Sequence, residues 1–147
     1  MELRLALALP RDGLSVPVAR HLVRTGLEEL RVTRDCVSDI EIALTEACAN
    51  VLDHSLASDD YEVVVQIAGG VCTLRVVDGG ATSGFSGEHS TPSTVGGEPM
   101  EHGRGLLLMQ ALMDSVHFKA TGDDGPGTVV ELVKQLEWTT DSPLAVV

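Results

Sequence analysis

Aromatic side chains are scarce in this chain: Tyr61, Phe85, Phe118 and Trp138 are the only four among 147 residues. A core with so few rings has to be assembled from Val, Leu, Ile and Ala, and hydrophobic residues at 44% of the chain are enough to assemble one. Cations are few as well. Ten Lys and Arg stand against 22 Asp and Glu, a formal net charge of -12. Neutralising a nucleic acid backbone needs a basic surface, so direct nucleic acid binding is not expected. A single nucleotide is compatible with that charge, because a local pocket with a divalent cation can hold it. The acidic balance also suits a protein partner with a basic patch. Cysteine is limited to Cys36, Cys48 and Cys72, an odd number with no Cys-x-x-Cys spacing. Neither a disulfide framework nor a zinc site is indicated, and buried thiols are expected. No run approaches the roughly 18 apolar residues of a membrane span, and Met1 to Leu9 does not read as a leader. A soluble cytoplasmic protein without membrane contact is the expectation, with one domain over 1–137 and a loosely held tail over 138–147.

What is present is well patterned. Leu3, Leu5, Leu7 and Leu9 alternate as in a strand, which Pro10, Asp12 and Gly13 end. Val18, His21, Leu22, Gly26 and Leu30 recur at near-helical spacing behind Pro17 and predict a helix over 16–30. A longer helix is predicted to start between Thr33 and Ser38. Ser38-Asp39-Ile40-Glu41 has the capping-box pattern, with Thr33 as an earlier candidate cap. Its apolar stripe is Ile40, Ala43, Leu44, Ala47 and Val51. Tyr61 to Ala68 and Val71 to Val77 read as two strands joined by Gly69-Gly70. Residues 78–102 are rich in Gly, Ser, Thr, Pro and Glu, and so long a loop in a small domain is a functional loop or a disordered one. A helix over 105–113 and strands over 114–120 and 128–136 complete the chain. Runs of adjacent strands exclude simple α/β alternation. They favour an α+β layer, a mostly antiparallel sheet with helices on one face.

Four segments carry candidate chemistry. Glu46, Asn50 and His54 recur every fourth residue, so they line one helix face beside the apolar stripe. The amide oxygen of Asn50 suits Mg²⁺, and a carboxylate one turn earlier can take a proton from a hydroxyl. Spacing alone favours a solvated helix face. Asp78 closes a strand in Val76-Val77-Asp78-Gly79-Gly80. A carboxylate there can accept from an exocyclic amine, and Gly80 lets the backbone approach a flat ring. Taken alone, it is also a plain turn. His102-Gly103-Arg104-Gly105-Leu106 places glycines and a cation at a helix start, where amides and the helix dipole favour an anion. The third Gly of a dinucleotide fingerprint is missing, so a Gly-containing helix entry is the other reading. Gly127-Thr128 opens a buried strand, and Thr128 can bond a polar ligand edge.

In this order, around a long polar loop, the four segments resemble the N, G1, G2 and G3 boxes of the GHKL ATPase superfamily. The chain looks like the anti-sigma-factor serine/threonine kinases of bacterial partner-switching systems, and the resemblance runs from Leu3 to Leu136. It implies the Bergerat two-layer α/β sandwich with residues between Asp78 and His102 as an ATP lid, and ATP and Mg²⁺ as cofactors. Glu46 would be the general base and Asn50 the Mg²⁺ ligand, with His54 further along the same stripe. Asp78 would read the adenine amine with Gly80 beside the ring. Gly103, Arg104, Gly105 and Leu106 would approach the phosphates, and Thr128 would lie near adenine. The implied partners are a STAS-domain anti-anti-sigma factor, a sigma factor and a second copy in a homodimer. One departure stands out: the usual form of the G1 box is Asp-x-Gly-x-Gly, and here Thr82 replaces the second glycine, with Gly84-Phe85 two residues late. Two functions therefore stay open, a protein kinase and a GHKL-fold binding regulator with little or no kinase activity.

Overall fold

In a computed structural model, residues 1–54, 60–78, 103–121 and 127–145 are described. The elements follow the predicted order: β1 (Glu2–Pro10), α1 (Ser15–Glu29), α2 (Arg34–His54), β2 (Asp60–Ala68), β3 (Val71–Asp78), α3 (Gly103–Leu112), β4 (Ser115–Thr121) and β5 (Gly127–Gln135). The strands form one sheet in the order β1-β2-β3-β5-β4, and every neighbouring pair is antiparallel. This is the expected α+β fold. The segment expected to form the lid, Gly80 included, lies outside the described residues.

Each element has a local cause. Alternation puts Tyr61, Val63, Val65 and Ile67 of β2, Cys72, Leu74 and Val76 of β3, and Val130 and Leu132 of β5 into one buried face. Ile40, Ala43, Leu44, Ala47, Cys48 and Val51 of α2 have no exposure at all, and they belong to the same core. The opposite sheet face carries the cross-strand pair Arg75–Glu131 at 2.6 Å. Gly69 and Gly70 have φ of +58° and +77°, the two left-handed positions of a tight hairpin turn. Gly70 is doubly constrained, since an added Cβ would lie 2.9 Å from the Trp138 ring.

Two details differ from the sequence reading, and a third is sharpened. Helix α1 forms, but it buries Ser15, Ala19, Val23 and Leu27, while Val18 and Leu22 stay exposed. Two adjacent apolar stripes exist on α1, and the one starting with the small residues Ser15 and Ala19 turns inward. Ser15 then hydrogen-bonds the Tyr61 hydroxyl at 2.6 Å inside the core. Helix α2 begins at Arg34, within the expected range from Thr33 to Ser38 and a turn ahead of the Ser38 capping box, because Cys36 and Val37 are themselves buried. Thr33 precedes it, with its amide donating to the Glu137 carbonyl at 2.8 Å and its carbonyl accepting from Val37 at 3.0 Å. Residues beyond 137, expected to be loose, are tied down as far as residue 145. Trp138 and Leu144 pack on the core, the Thr139 amide donates to the Arg31 carbonyl at 2.8 Å, and buried Ser142 donates its hydroxyl to the Leu30 carbonyl. Those carbonyls are accessible because α1 ends in a left-handed turn at Arg31 (φ 59°), with Val32 donating to Leu27 and Arg31 to Glu28.

Two outcomes test this packing. Gly70→Ala should lose about 1–2 kcal/mol from the left-handed conformation alone, before the clash with Trp138. Gly26→Ala, with open space around the added Cβ, should gain about 0.5–1 kcal/mol. Urea unfolding midpoints read both. The second concerns the thiols, all three of which are free and buried. Burial pushes Cys48 and Cys72 from an ordinary value near 9 up to about 12, and raises Cys36 as well. Above pH 9 the unfolded chain releases these protons and the folded chain keeps them. Stability should therefore fall as pH rises from 9 towards 12, by up to about 1.4 kcal/mol per pH unit for each of Cys48 and Cys72, with Cys36 adding in the same direction. Unfolding measured across that range, in wild type and in Cys48→Ala, checks the sign.

Candidate functional site

Helix α2 lies on the sheet through one fully buried stripe, so its neighbouring face must emerge at the flank of the core. Glu46 and Asn50 sit there, one turn apart and half-buried. The first turn of α3 packs against this flank. Gly105 is so close that a Cβ on it would lie 2.7 Å from Glu46 Oε2. Its φ is not left-handed, so glycine is required here for close approach and not for backbone conformation. Glu46, Ala49 and Asn50 of α2 and Gly105, Leu106 and Met109 of α3 line a cleft of about 20 Å³. The carboxylate of Glu46 thus rests beside the amide-rich start of α3, where a negative charge is favoured. Arg104 is exposed in the same turn, next to Gly103, the first residue of α3.

Glu46 also borders a second, larger space. An open groove of about 470 Å³ between α1 and α2 is lined by Arg20, Arg24, Glu41, Ile42, Thr45 and Glu46. Glu41 is engaged there by Arg24 at 3.4 Å, and Thr45 donates to the Glu41 carbonyl at 2.8 Å. The Glu46 side chain therefore stands between a narrow cleft on the α3 side and an open groove on the α1 side.

Asp78 ends β3 and is fully buried. A buried carboxylate needs a partner, and it has one in Arg11, just past the end of β1, at 3.1 Å from Oδ2. The same guanidinium donates to the carbonyls of Val51 (3.3 Å) and Leu52 (3.2 Å) in the last turn of α2. Arg11 thus neutralises Asp78 and caps the helix that carries Glu46 and Asn50. Sequence reading missed Arg11. Its only signal was an arginine in the turn after a strand, in a chain with ten basic residues. The pairing across 67 positions is not visible in a single sequence.

The predicted residues fall into groups. Glu46, Asn50, Gly105 and Leu106 meet in one cleft. Asp78 is joined to the same helix through Arg11. Thr128 lies on β5, one residue before Val129, which pairs with Val77 beside Asp78. The backbone of His54 closes α2. The side chains of His54 and Thr128 lie outside what is described, as does Gly80. Among the described residues no group of three or more His, Cys, Asp or Glu could hold a metal ion. A cation here would take a lone side-chain oxygen such as that of Asn50, completed by phosphate and water. That donor set is the habit of Mg²⁺ and not of an all-protein cage. Among the described residues no helix is long and apolar enough to cross a membrane.

Residues 9–134 match the histidine kinase-like ATPase domain family. The chain is 28% identical over 137 residues to a serine-protein kinase RsbW of Bacillus velezensis, covering 87% of this chain and 82% of that one. It is 32% identical over 112 residues to the RsbW of Bacillus licheniformis, covering 69% and 66%. A crystal structure of the RsbU and RsbW domains of a Mycobacterium tuberculosis protein superposes with a TM-score of 0.67 at 20% identity. It covers 92% of this chain, which spans about a third (32%) of that longer one.

The contact between α3 and Glu46 yields a structural test. In Gly105→Ala the atom in the way is the end of a flexible side chain, so unfolding free energy should stay within about 1 kcal/mol of wild type. The Glu46 carboxylate should instead swing away from α3. A crystal structure of the variant reads this directly, and a carboxylate left in place would mean the contact is looser than described.

Proposed function

Since the chain belongs to the histidine kinase-like ATPase domain family, we propose that it is an ATP-binding anti-sigma-factor serine/threonine kinase. In this reading it phosphorylates a STAS-domain anti-anti-sigma factor, and it sequesters a sigma factor, in a cytoplasmic partner switch. The observation that carries the reading is the cleft where the first turn of α3 meets Glu46 and Asn50. It joins a carboxylate, a carboxamide oxygen and a glycine-bearing helix start, which can serve as base, metal ligand and phosphate cradle in phosphoryl transfer. The RsbW relatives, named serine-protein kinases, support the same class.

The roles follow from chemistry. Asn50 would hold Mg²⁺ by its amide oxygen, which spreads the phosphate charge when ATP is bound. Backbone amides at Gly103 and Gly105, with Arg104, would face the phosphates. Asp78 would accept from the adenine amine, near Thr128. Leu106 would support the phosphate turn, and His54 would extend the polar stripe. Glu46 would orient the acceptor hydroxyl and take its proton as that oxygen bonds to the γ-phosphorus and ADP departs. The open groove on the α1 side of Glu46 offers the approach for a substrate segment, because it leaves the α3 side to the phosphates. A homodimer is part of the proposal on family grounds.

One observation favours a second reading. Thr82 stands where the G1 box usually has its second glycine, which suits a regulator that captures partners with little or no kinase activity. Incubation with a STAS-domain partner and labelled ATP separates the two. The kinase reading expects phosphoprotein formation that Glu46→Gln lowers by about 10²–10⁴-fold, with ATP binding retained, and that chelation of Mg²⁺ abolishes. Equal transfer by Glu46→Gln would remove Glu46 from its role. Tight partner binding without calorimetric ATP–Mg²⁺ binding would establish the regulator instead.

A further inference from the structure

Arg11 lies outside the four segments that resemble the family's boxes, yet it bonds residues of two of them, Asp78 and the Val51–Leu52 turn that follows Asn50. Its guanidinium reaches Asp78 Oδ2 at 3.1 Å, the Val51 carbonyl at 3.3 Å and the Leu52 carbonyl at 3.2 Å. Val51 directly follows Asn50, so one rigid planar group spans from the carboxylate at the end of β3 to the helix turn adjoining the proposed metal ligand. Arginine suits this task because its donors are fixed in a fork, whereas a lysine ammonium is a single point of charge. The side chain is itself largely shielded, with 16% of its surface exposed against none for Asp78, and a shielded fork holds its geometry better than a solvated one. A carboxylate offers about four acceptor positions, so the bond to Arg11 leaves it chemically able to accept from an amine as well.

We propose that Arg11 is a positioning residue for recognition of the nucleotide base. By gripping Asp78 and the end of α2 together, it fixes the direction of the base-reading carboxylate and its separation from Asn50 and Glu46. This deepens the ATP-binding reading above and rests on it. Arg11 need not touch the nucleotide. It acts through Asp78, so its loss falls on base selection and on KM for ATP more than on kcat at saturating ATP. A residue that only supported the fold would weaken all nucleotides alike.

The test is calorimetric binding of ATP–Mg²⁺ and GTP–Mg²⁺ to the full chain in wild type, Arg11→Lys and Arg11→Met, with phosphotransfer to a STAS-domain partner measured alongside. Arg11→Lys keeps the charge beside Asp78 and loses the fork, so it should fold. It is expected to raise the Kd for ATP roughly tenfold and to shrink the preference for ATP over GTP, with the change appearing in KM. Arg11→Met should exceed it in the same direction, and if that variant does not fold, Arg11→Lys decides. Wild-type affinity and preference in Arg11→Lys would overturn the inference. So would equal losses for ATP and GTP, which would mark a structural role alone. A wild-type chain that binds neither nucleotide would overturn the functional reading itself, and this inference with it, a result separable from the others because it appears before any substitution.

Discussion

The rest of the molecule depends on how α2 is buried. Six of its residues, from Ile40 to Val51, are wholly excluded from solvent, which fixes the helix's rotation about its own axis. Turning it by one residue, about 100°, would expose that stripe and bury Glu46 and Asn50 without partners. The hydrophobic effect therefore sets the direction of two polar side chains that make no part of the core. Their placement needs no dedicated scaffold, only a helix with one face that cannot leave the sheet.

Two contacts convert that orientation into a site. On one side α3 approaches through Gly105, the residue whose missing side chain makes room for the Glu46 carboxylate. On the other, Arg11 ties the end of α2 to Asp78. The second contact concentrates electrostatic cost. Removing one member of a buried ion pair typically costs about 3–5 kcal/mol, a large share of the stability of a domain this size. The site and the fold thus share residues, and the chain could not relax one without loosening the other.

How much of this was legible beforehand varied with the physics. Period-2 and period-3.6 patterns report burial directly, so the sheet, the α2 stripe and the order of elements could be read from Tyr61 to Ile67 and from Ile40 to Val51. The Gly69-Gly70 turn was readable because two-residue hairpin turns need positive φ, which glycine adopts freely. The face of α1 was not, since Val18 and Leu22 form a stripe as apolar as Ala19 and Val23, and which one turns inward shows only in the packed fold, where Ser15 bonds Tyr61 and Ala19, Val23 and Leu27 are buried. Periodicity also says nothing about Ser142 or Trp138, whose partners at Leu30 and Gly70 are distant in sequence. Within the candidate site, Glu46, Asn50, Gly105 and Asp78 were visible as residue types suited to a chemistry. Arg11 was invisible because its importance is wholly in what it meets.

The scarcity of aromatic residues has an optical consequence. Trp138 is the sole tryptophan, and it lies over Gly70 at the hairpin end of β2 and β3, whereas Asp78 lies at the other end of the eight-residue β3. At about 3.3 Å per residue, those ends are some 23 Å apart. Tryptophan fluorescence of this protein, excited selectively over that of Tyr61, is thus a private signal from the docked C-terminal segment. It reports whether that segment is seated on the sheet, and it is insulated by the length of a strand from events around the candidate site.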